Sequence, residues 1–132
     1  MSSIYTHHLI VPASVIDDNG HVNNVAYVQW MQDAAVAHSE AVGGIRATMA
    51  IGATWVVRRH SIEYRRPAFA GDAIEIKTWV HDYRRVASLR KYEFVRTKDK
   101  TLLAIGETDW VFLDTTTLRP KAIPAEIQQL YQ

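Results

Sequence analysis

The sequence predicts an α+β fold, one long central helix wrapped by a curved antiparallel sheet of about five strands. Three observations predict it. The stretch from Val25 to Val42 is dense in helix formers and apolar around most of its circumference. Four later runs are rich in Val, Ile, Thr, Tyr, Phe and Trp, residues that suit a pleated, half-buried surface. The gaps between the last three runs are short, which suits antiparallel neighbours. A chain of 132 residues with 48% hydrophobic and 22% charged residues is sized and composed for one globular domain, 1–132. In so short a chain, only a sheet curled around such a helix buries most of its faces.

Element by element, His8 to Val15 reads as a first strand, and Asp17-Asp18-Asn19-Gly20 as a turn. Asn23 or Asn24 is placed to cap the helix, its side-chain oxygen accepting a first-turn N–H. Gly43-Gly44 supplies the stop. The helix between spans roughly 27 Å at about 1.5 Å per residue. Its polar positions Gln29, Gln32, Asp33 and Glu40 form only a narrow stripe. Strands follow at Thr54–Arg66, Asp72–Asp82, Ala87–Thr97 and Leu102–Asp114. Ile74 and Ile76 alternate with Glu75 and Lys77 and so share one face. Pro124 is suited to the first position of a short C-terminal helix.

The chain has no cysteine, which excludes disulfides, thiolate metal sites and a Cys nucleophile. Its N-terminus lacks a basic stretch followed by an apolar core, so no signal peptide is expected and a cytoplasmic setting is. No apolar run reaches the roughly 18–20 residues of a membrane span, so no membrane insertion is expected. The net charge of +1 argues against nucleic acid as a partner. That total conceals a split. Arg58 to Arg96 holds ten basic and five acidic residues, and the remainder five basic and nine acidic. Separate basic and acidic surfaces are the expectation.

The densest polar cluster is Asp17, Asp18, Asn19, His21, Asn23 and Asn24, just before the helix. First-turn N–H groups lack internal partners and point outward with the positive end of the helix dipole. The N–H of Asn24 or Val25 is therefore suited to an oxyanion, Asp17 to attack on a carbonyl or deprotonation of water, and His21 to proton transfer. Turn and capping roles alone would also account for such residues. Asp17 and His21 do not make a metal-ligand set, so no metal is expected.

The segment Asp17-Asp18-Asn19-Gly20-His21-Val22-Asn23-Asn24-Val25-Ala26-Tyr27 resembles the signature of hotdog-fold thioesterases. It is similar to the D-x-x-x-H-V-N-N-x-x-Y of bacterial long-chain acyl-CoA thioesterases and the D-x-N-x-H-V-N-N-V-x-Y of plant acyl-ACP thioesterases. Tyr64-Arg65-Arg66-Pro67-Ala68-Phe69-Ala70-Gly71-Asp72 resembles the family's Y-R-R-P-x-x-x-G-D. The Ile123-Pro124-Ala125-Glu126-Ile127 tail is also typical. The likeness runs over essentially the whole chain in the same element order.

This resemblance implies hydrolysis of an acyl thioester, carried by CoA or by an acyl carrier protein, with coenzyme A present only as part of the substrate and no cofactor. It implies that Asp17 is nucleophile or general base, that the backbone at Asn24 faces the thioester oxygen, and that Asn19 and His21 assist. The plant pattern has a Glu after its Tyr-Arg-Arg where this chain has Pro67, which favours the bacterial scheme. Tyr83-Arg84-Arg85 resembles an aromatic-Arg-Arg stretch that contacts coenzyme A phosphates, so Arg84 and Arg85 are the expected phosphate contacts; arginine forks suit such groups. Tyr27 and Trp55 are the expected acyl-pocket lining. The family pairs its subunits with the site between them, which implies a homodimer or homotetramer. A non-catalytic acyl-thioester-binding module is the alternative.

In the strand doublets Arg58-Arg59 and Arg65-Arg66, one arginine of each should meet a carboxylate such as Glu63 or Glu107, or a subunit interface. The four tryptophans read as core or interface residues, His38, His60 and His81 as ordinary strand or helix residues, and Asp72 as a turn acceptor.

Overall fold

The computed structural model describes residues 3–132. Strand β1 (Tyr5–Ile10) leads into a 3₁₀ turn at Ala13–Val15, then helix α1 (Asn24–Ala41) and helix α2 (Gly44–Ala50). Strands β2 (Ala53–Tyr64), β3 (Ala73–Tyr83), β4 (Ala87–Arg96) and β5 (Thr101–Asp114) follow, then helix α3 (Ala125–Leu130). The five strands form one sheet in the order β1-β3-β4-β5-β2, with every pairing antiparallel. The meander β3-β4-β5 is the one the short turns demanded. β1 and β2 are the two edges.

Helix α1 buries Ala26, Tyr27, Trp30, Met31, Ala34, Ala35 and His38, positions three and four apart that make one stripe. The stripe packs on the inward residues of the sheet, among them Ile74, Ile76, Tyr92, Phe94, Leu103 and Ala104. Along β3 burial alternates so that Ile74, Ile76, Thr78 and Val80 share the buried face.

Three expectations need correction. The first strand ends at Ile10 rather than running on to Val15, because Pro12 offers no N–H to a ladder and the chain coils into the 3₁₀ turn. Burial of the helix on most sides is not met within one chain. Val25 is 78% and Val36 45% exposed, since the sheet covers one side only. Gly43-Gly44 stops α1 but does not end helical structure. Gly43 takes the left-handed conformation at φ 80°, and Gly44 opens α2. Of the two candidate caps, Asn23 is the one used: its side chain accepts the Ala26 N–H. Pro124 stands just before the first residue of α3.

Among the described residues no helix is long and apolar enough to cross a membrane.

Candidate active site

The loop between the 3₁₀ turn and α1 is a small closed structure. Ile16 and Val22 form an antiparallel bridge across its neck. Inside it, the Asp17 N–H donates to the His21 carbonyl at 2.9 Å and the Gly20 N–H to the Asp17 carbonyl at 3.0 Å. The Asp17 side chain bends back, and its Oδ1 accepts the Asn19 N–H at 2.9 Å, the local bond that aspartate favours in turns. His21 Nδ1 stands 3.9 Å from the same oxygen. The structure thus brings Asp17, Asn19 and His21 together, with the Asp17 and His21 side chains 32% and 39% exposed. They are open to solvent.

Two anchors hold this loop to the fold. The Val22 N–H donates to the Ala68 carbonyl at 2.9 Å, which joins the loop to the Tyr64-to-Asp72 segment. Asn23 binds the Val15 carbonyl and caps α1. The cap takes the Ala26 N–H, and the N–H groups of Asn24 and Val25, as first-turn groups, have no intrahelical acceptor. Both residues are exposed. The Tyr64 hydroxyl donates to the Asn24 carbonyl at 3.3 Å. Asp72 is a turn acceptor: its carboxylate takes the Phe69 N–H at 2.9 Å and pairs with Arg96 at 3.4 Å.

Tyr27 lies beneath this loop in the core, 3% exposed, edge-on to Trp30, Tyr64 and Phe94. Burial pushes its phenol up to about 12, so it stays protonated at neutral pH. It does not line the apolar cavity beside α2, but Trp55 does. That cavity, about 200 Å³, lies between the second half of α1, α2 and the sheet, with Ala35, Ile45, Trp55, Val80, Tyr83 and Arg90 on its walls. Ala35 is about 16 Å along the helix from Asn24 at ~1.5 Å per residue. Within one chain, the cavity and the Asp17 loop sit at opposite ends of α1.

The basic segment is less free than its sequence suggests. Arg84 Nη2 donates to Asp109 at 2.8 Å, and Arg59 and Arg58 approach the same carboxylate at 3.2 and 3.9 Å. Asp109 is the nearly buried hub, its side chain 8% exposed. The first doublet thus meets a carboxylate, Asp109, while Glu107 pairs with Lys91 at 3.6 Å. A register shift between Val57 and Arg59 turns both arginines toward Asp109. In the second doublet Arg65 pairs with Glu63 at 3.6 Å, one of the carboxylates expected for either doublet. Acidic and basic groups therefore interleave here rather than forming separate surfaces. Arg84 is half-exposed but engaged. Arg85 is exposed and has no ion-pair partner among the described residues.

Sequence reading passed over one buried polar group. Arg90 is 4% exposed, and its Nη1 donates to His38 Nδ1 at 2.9 Å and to Thr78 Oγ1 at 3.1 Å. The alternation of β4 contained the signal, because Arg90 shares the inward face with Tyr92 and Phe94. His38, read as an ordinary helix residue, is 1% exposed and stacked on Tyr5. Burial and Arg90 hold its imidazole down at about 4. Among the described residues no group of three or more metal-ligating side chains is placed to hold an ion.

Comparison with known proteins agrees with this architecture. Residues 11–130 match the family described as the thioesterase-like superfamily. The acyl-CoA thioester hydrolase YbgC of Escherichia coli O6:H1 is 28% identical over 107 residues, 81% of this chain and 78% of that protein. Protein THEM6 of Danio rerio is 29% identical over 85 residues, 64% of this chain but only 42% of that protein. Among solved structures, Slr0204, a 1,4-dihydroxy-2-naphthoyl-CoA thioesterase from Synechocystis, superposes with a TM-score of 0.87 at 18% identity, covering 98% of this chain and 96% of its own. The wrapped-helix arrangement is the hotdog fold.

Proposed function

The chain belongs to the thioesterase-like superfamily, and on that premise we propose that it hydrolyses an acyl-CoA thioester to the free acid and coenzyme A. The observation that carries this reading is the loop at the mouth of α1. There the accessible carboxylate of Asp17 and the first-turn N–H groups of Asn24 and Val25 are held on a single anchored segment. The N–H groups supply an oxyanion site where the thioester carbonyl gains negative charge. Asp17 either attacks the carbonyl carbon, giving an acyl anhydride that water then hydrolyses, or takes a proton from the attacking water; in both cases the C–S bond breaks and the CoA thiolate leaves and is protonated. Its Oδ1 is steadied by the Asn19 N–H. His21, at 3.9 Å, is close enough to orient the water through a small shift.

Two copies complete the site in this reading. β2 is an edge strand of 12 residues with one side unpaired, and such an edge invites a partner. Across a two-fold axis, β2 of one protomer runs antiparallel to β2 of the other. Trp55, near the start of one strand, then approaches Tyr64, at the end of the other. This pairing brings the cavity of one protomer toward the Asp17 loop of its partner, which accounts for their separation within a single chain. Arg85 is the free cation of the doublet for the coenzyme phosphates.

Thiol release from a panel of short, medium, long and aromatic acyl-CoAs, with acyl carrier protein esters alongside, tests the reaction. Wild type should turn over at least one class, and Asp17→Asn should lose at least about a hundredfold in kcat. Saturable acyl-CoA binding without thiol release in wild type would identify a binding module instead. Sedimentation of a monomer at assay concentration would remove the two-copy site.

A further inference from the structure

The cavity beside α2 holds a charge without a counter-ion. A guanidinium stays protonated under all ordinary conditions, and Arg90 is 4% exposed. Its two side-chain hydrogen-bond acceptors, His38 Nδ1 and Thr78 Oγ1, are both neutral. The Tyr131 ring lies 5.8 Å from the guanidinium carbon. None of the ion pairs among the described residues includes Arg90. Buried charges in proteins are ordinarily paired, since desolvation is otherwise uncompensated.

A second observation points into the same space. Thr48 Oγ1, Trp55 Nε1 and Tyr83 OH are buried polar atoms without a protein hydrogen-bond partner, and all three residues line the cavity. Thr48 is itself only 3% exposed. Buried polar atoms in native proteins are rarely left without a partner. The remaining lining is mainly aliphatic and aromatic, including Ala35, Val36, Ile45, Met49 and Val80. A ligand matching this cavity is apolar along its body and anionic at one end.

We propose that the cavity is the acyl pocket and that it selects acyl chains ending in a second carboxylate, which the Arg90 guanidinium receives. The substrate class is then an ω-carboxyacyl thioester. The volume of about 200 Å³ suits a short or medium chain. This assignment rests on the thioesterase reading above, but its ligand preference is measurable without catalysis.

Two measurements test it in parallel on the intact protein. The first follows tryptophan fluorescence, to which Trp55 and Trp110 on the cavity wall contribute, during titration with monomethyl adipate and monomethyl suberate against methyl hexanoate and methyl octanoate, whose ester end stands in for the thioester. The second compares kcat/KM for adipyl- and suberyl-CoA with that for hexanoyl- and octanoyl-CoA. A charge-assisted hydrogen bond predicts a preference of about tenfold to a hundredfold for the dicarboxylic member of each pair. Arg90→Met should bring the ratio between the two members of each pair to within about threefold of one, whatever its effect on the absolute rates, and Arg90→Lys should retain part of the preference. Equal handling of both series by wild type overturns the proposal, and so does an equal loss of both in Arg90→Met. If Arg90→Met does not fold, the wild-type comparison decides alone. Preference for the free carboxylate in binding, without turnover of any thioester, would support the pocket and sink the thioesterase reading. Turnover without preference would do the reverse.

Discussion

Asn23 grips the carbonyl of Val15 with two donors. Its backbone N–H and its Nδ2 both reach that oxygen at 2.9 Å, while its Oδ1 caps α1 at Ala26. One side chain thus fixes both ends of the Asp17 loop to the helix. Asn23→Ala removes the cap, worth about 1 kcal/mol, and the side-chain bond to Val15, worth about another 1 kcal/mol. The expected outcome is a loss of about 2 kcal/mol in urea denaturation and a fall of at least about tenfold in kcat as the loop loosens. Stability falling without any change in kcat would show that the loop geometry does not depend on this grip.

The backbone at Asn24 allows a cleaner test of the oxyanion role. Asn24 is the first helical residue, where proline is favoured, and Asn23 before it is extended at ψ 154°, as a residue preceding proline must be. Asn24→Pro therefore deletes one N–H with little strain. If that N–H faces the thioester oxygen, kcat falls about a hundredfold to a thousandfold at near-normal stability. An unchanged kcat would move the role to the Val25 N–H.

These two neighbours also show where sequence reading ends. Patterns of period two and near 3.6, together with turn residues, were enough to find α1, the β3-β4-β5 meander and the Asp17 cluster. What they could not supply was tertiary partnership. Arg84 reads as a free cation in its turn, but its partner Asp109 lies across the β4–β5 ladder, opposite Leu89. Gly43-Gly44 reads as a terminator, and only the approach of distant Tyr131 explains the second glycine. Helix α2 went unseen for the same reason. Tyr27 and Trp55 look equivalent as pocket aromatics, yet α1 turns the first into the core while β2 carries the second to the cavity wall.

The glycine at position 44 is a packing requirement. A Cβ there would overlap the Tyr131 hydroxyl and ring. Tyr131 cannot easily give way, because its hydroxyl donates to Ser39 at 2.9 Å and its ring stands edge-on to His38 at 5.3 Å. Gly44→Ala should cost about 1–3 kcal/mol through overpacking, despite the better helix propensity of alanine. A gain in the urea midpoint would show that this corner yields without strain.

The two arginines of the β3–β4 turn should behave differently. Arg84→Ala removes one of three cations around Asp109, leaving Arg59 at 3.2 Å. With Arg84 48% exposed, the expected cost is about 1 kcal/mol of stability with little change in KM. Arg85→Ala should leave stability unchanged and raise KM for acyl-CoA about tenfold at constant kcat, with a weaker dependence of KM on salt. The opposite pattern would exchange their roles.

Acid stability should report His38. Arg90 has no acceptor, so His38 Nδ1 must accept from it, and the ring proton then sits on Nε2, which is buried without a partner. Protonating Nδ1 would set two cations against each other inside the core. Burial, with Arg90 second, holds the group at about 4 against its ordinary 6.5. Between those values the unfolded chain binds more protons than the folded one, so stability rises with pH across the window and is lost as pH falls from about 6.5 to about 4. Burial shifts His60 in the same direction. The lowered Asp99 and Asp114, held by hydrogen bonds from Arg96 and from the Thr117 and Thr116 N–H groups, lose their contribution around and below the usual carboxylate value of 3.8, so they add only at the acid end of this window. Urea midpoints should therefore fall steadily from pH 6.5 to 4 in wild type and more gently in His38→Asn, which keeps an acceptor for Arg90. Histidine NMR titration is the direct check. A His38 resonance titrating near 6.5 would mean that the imidazole is not confined against Arg90 in solution.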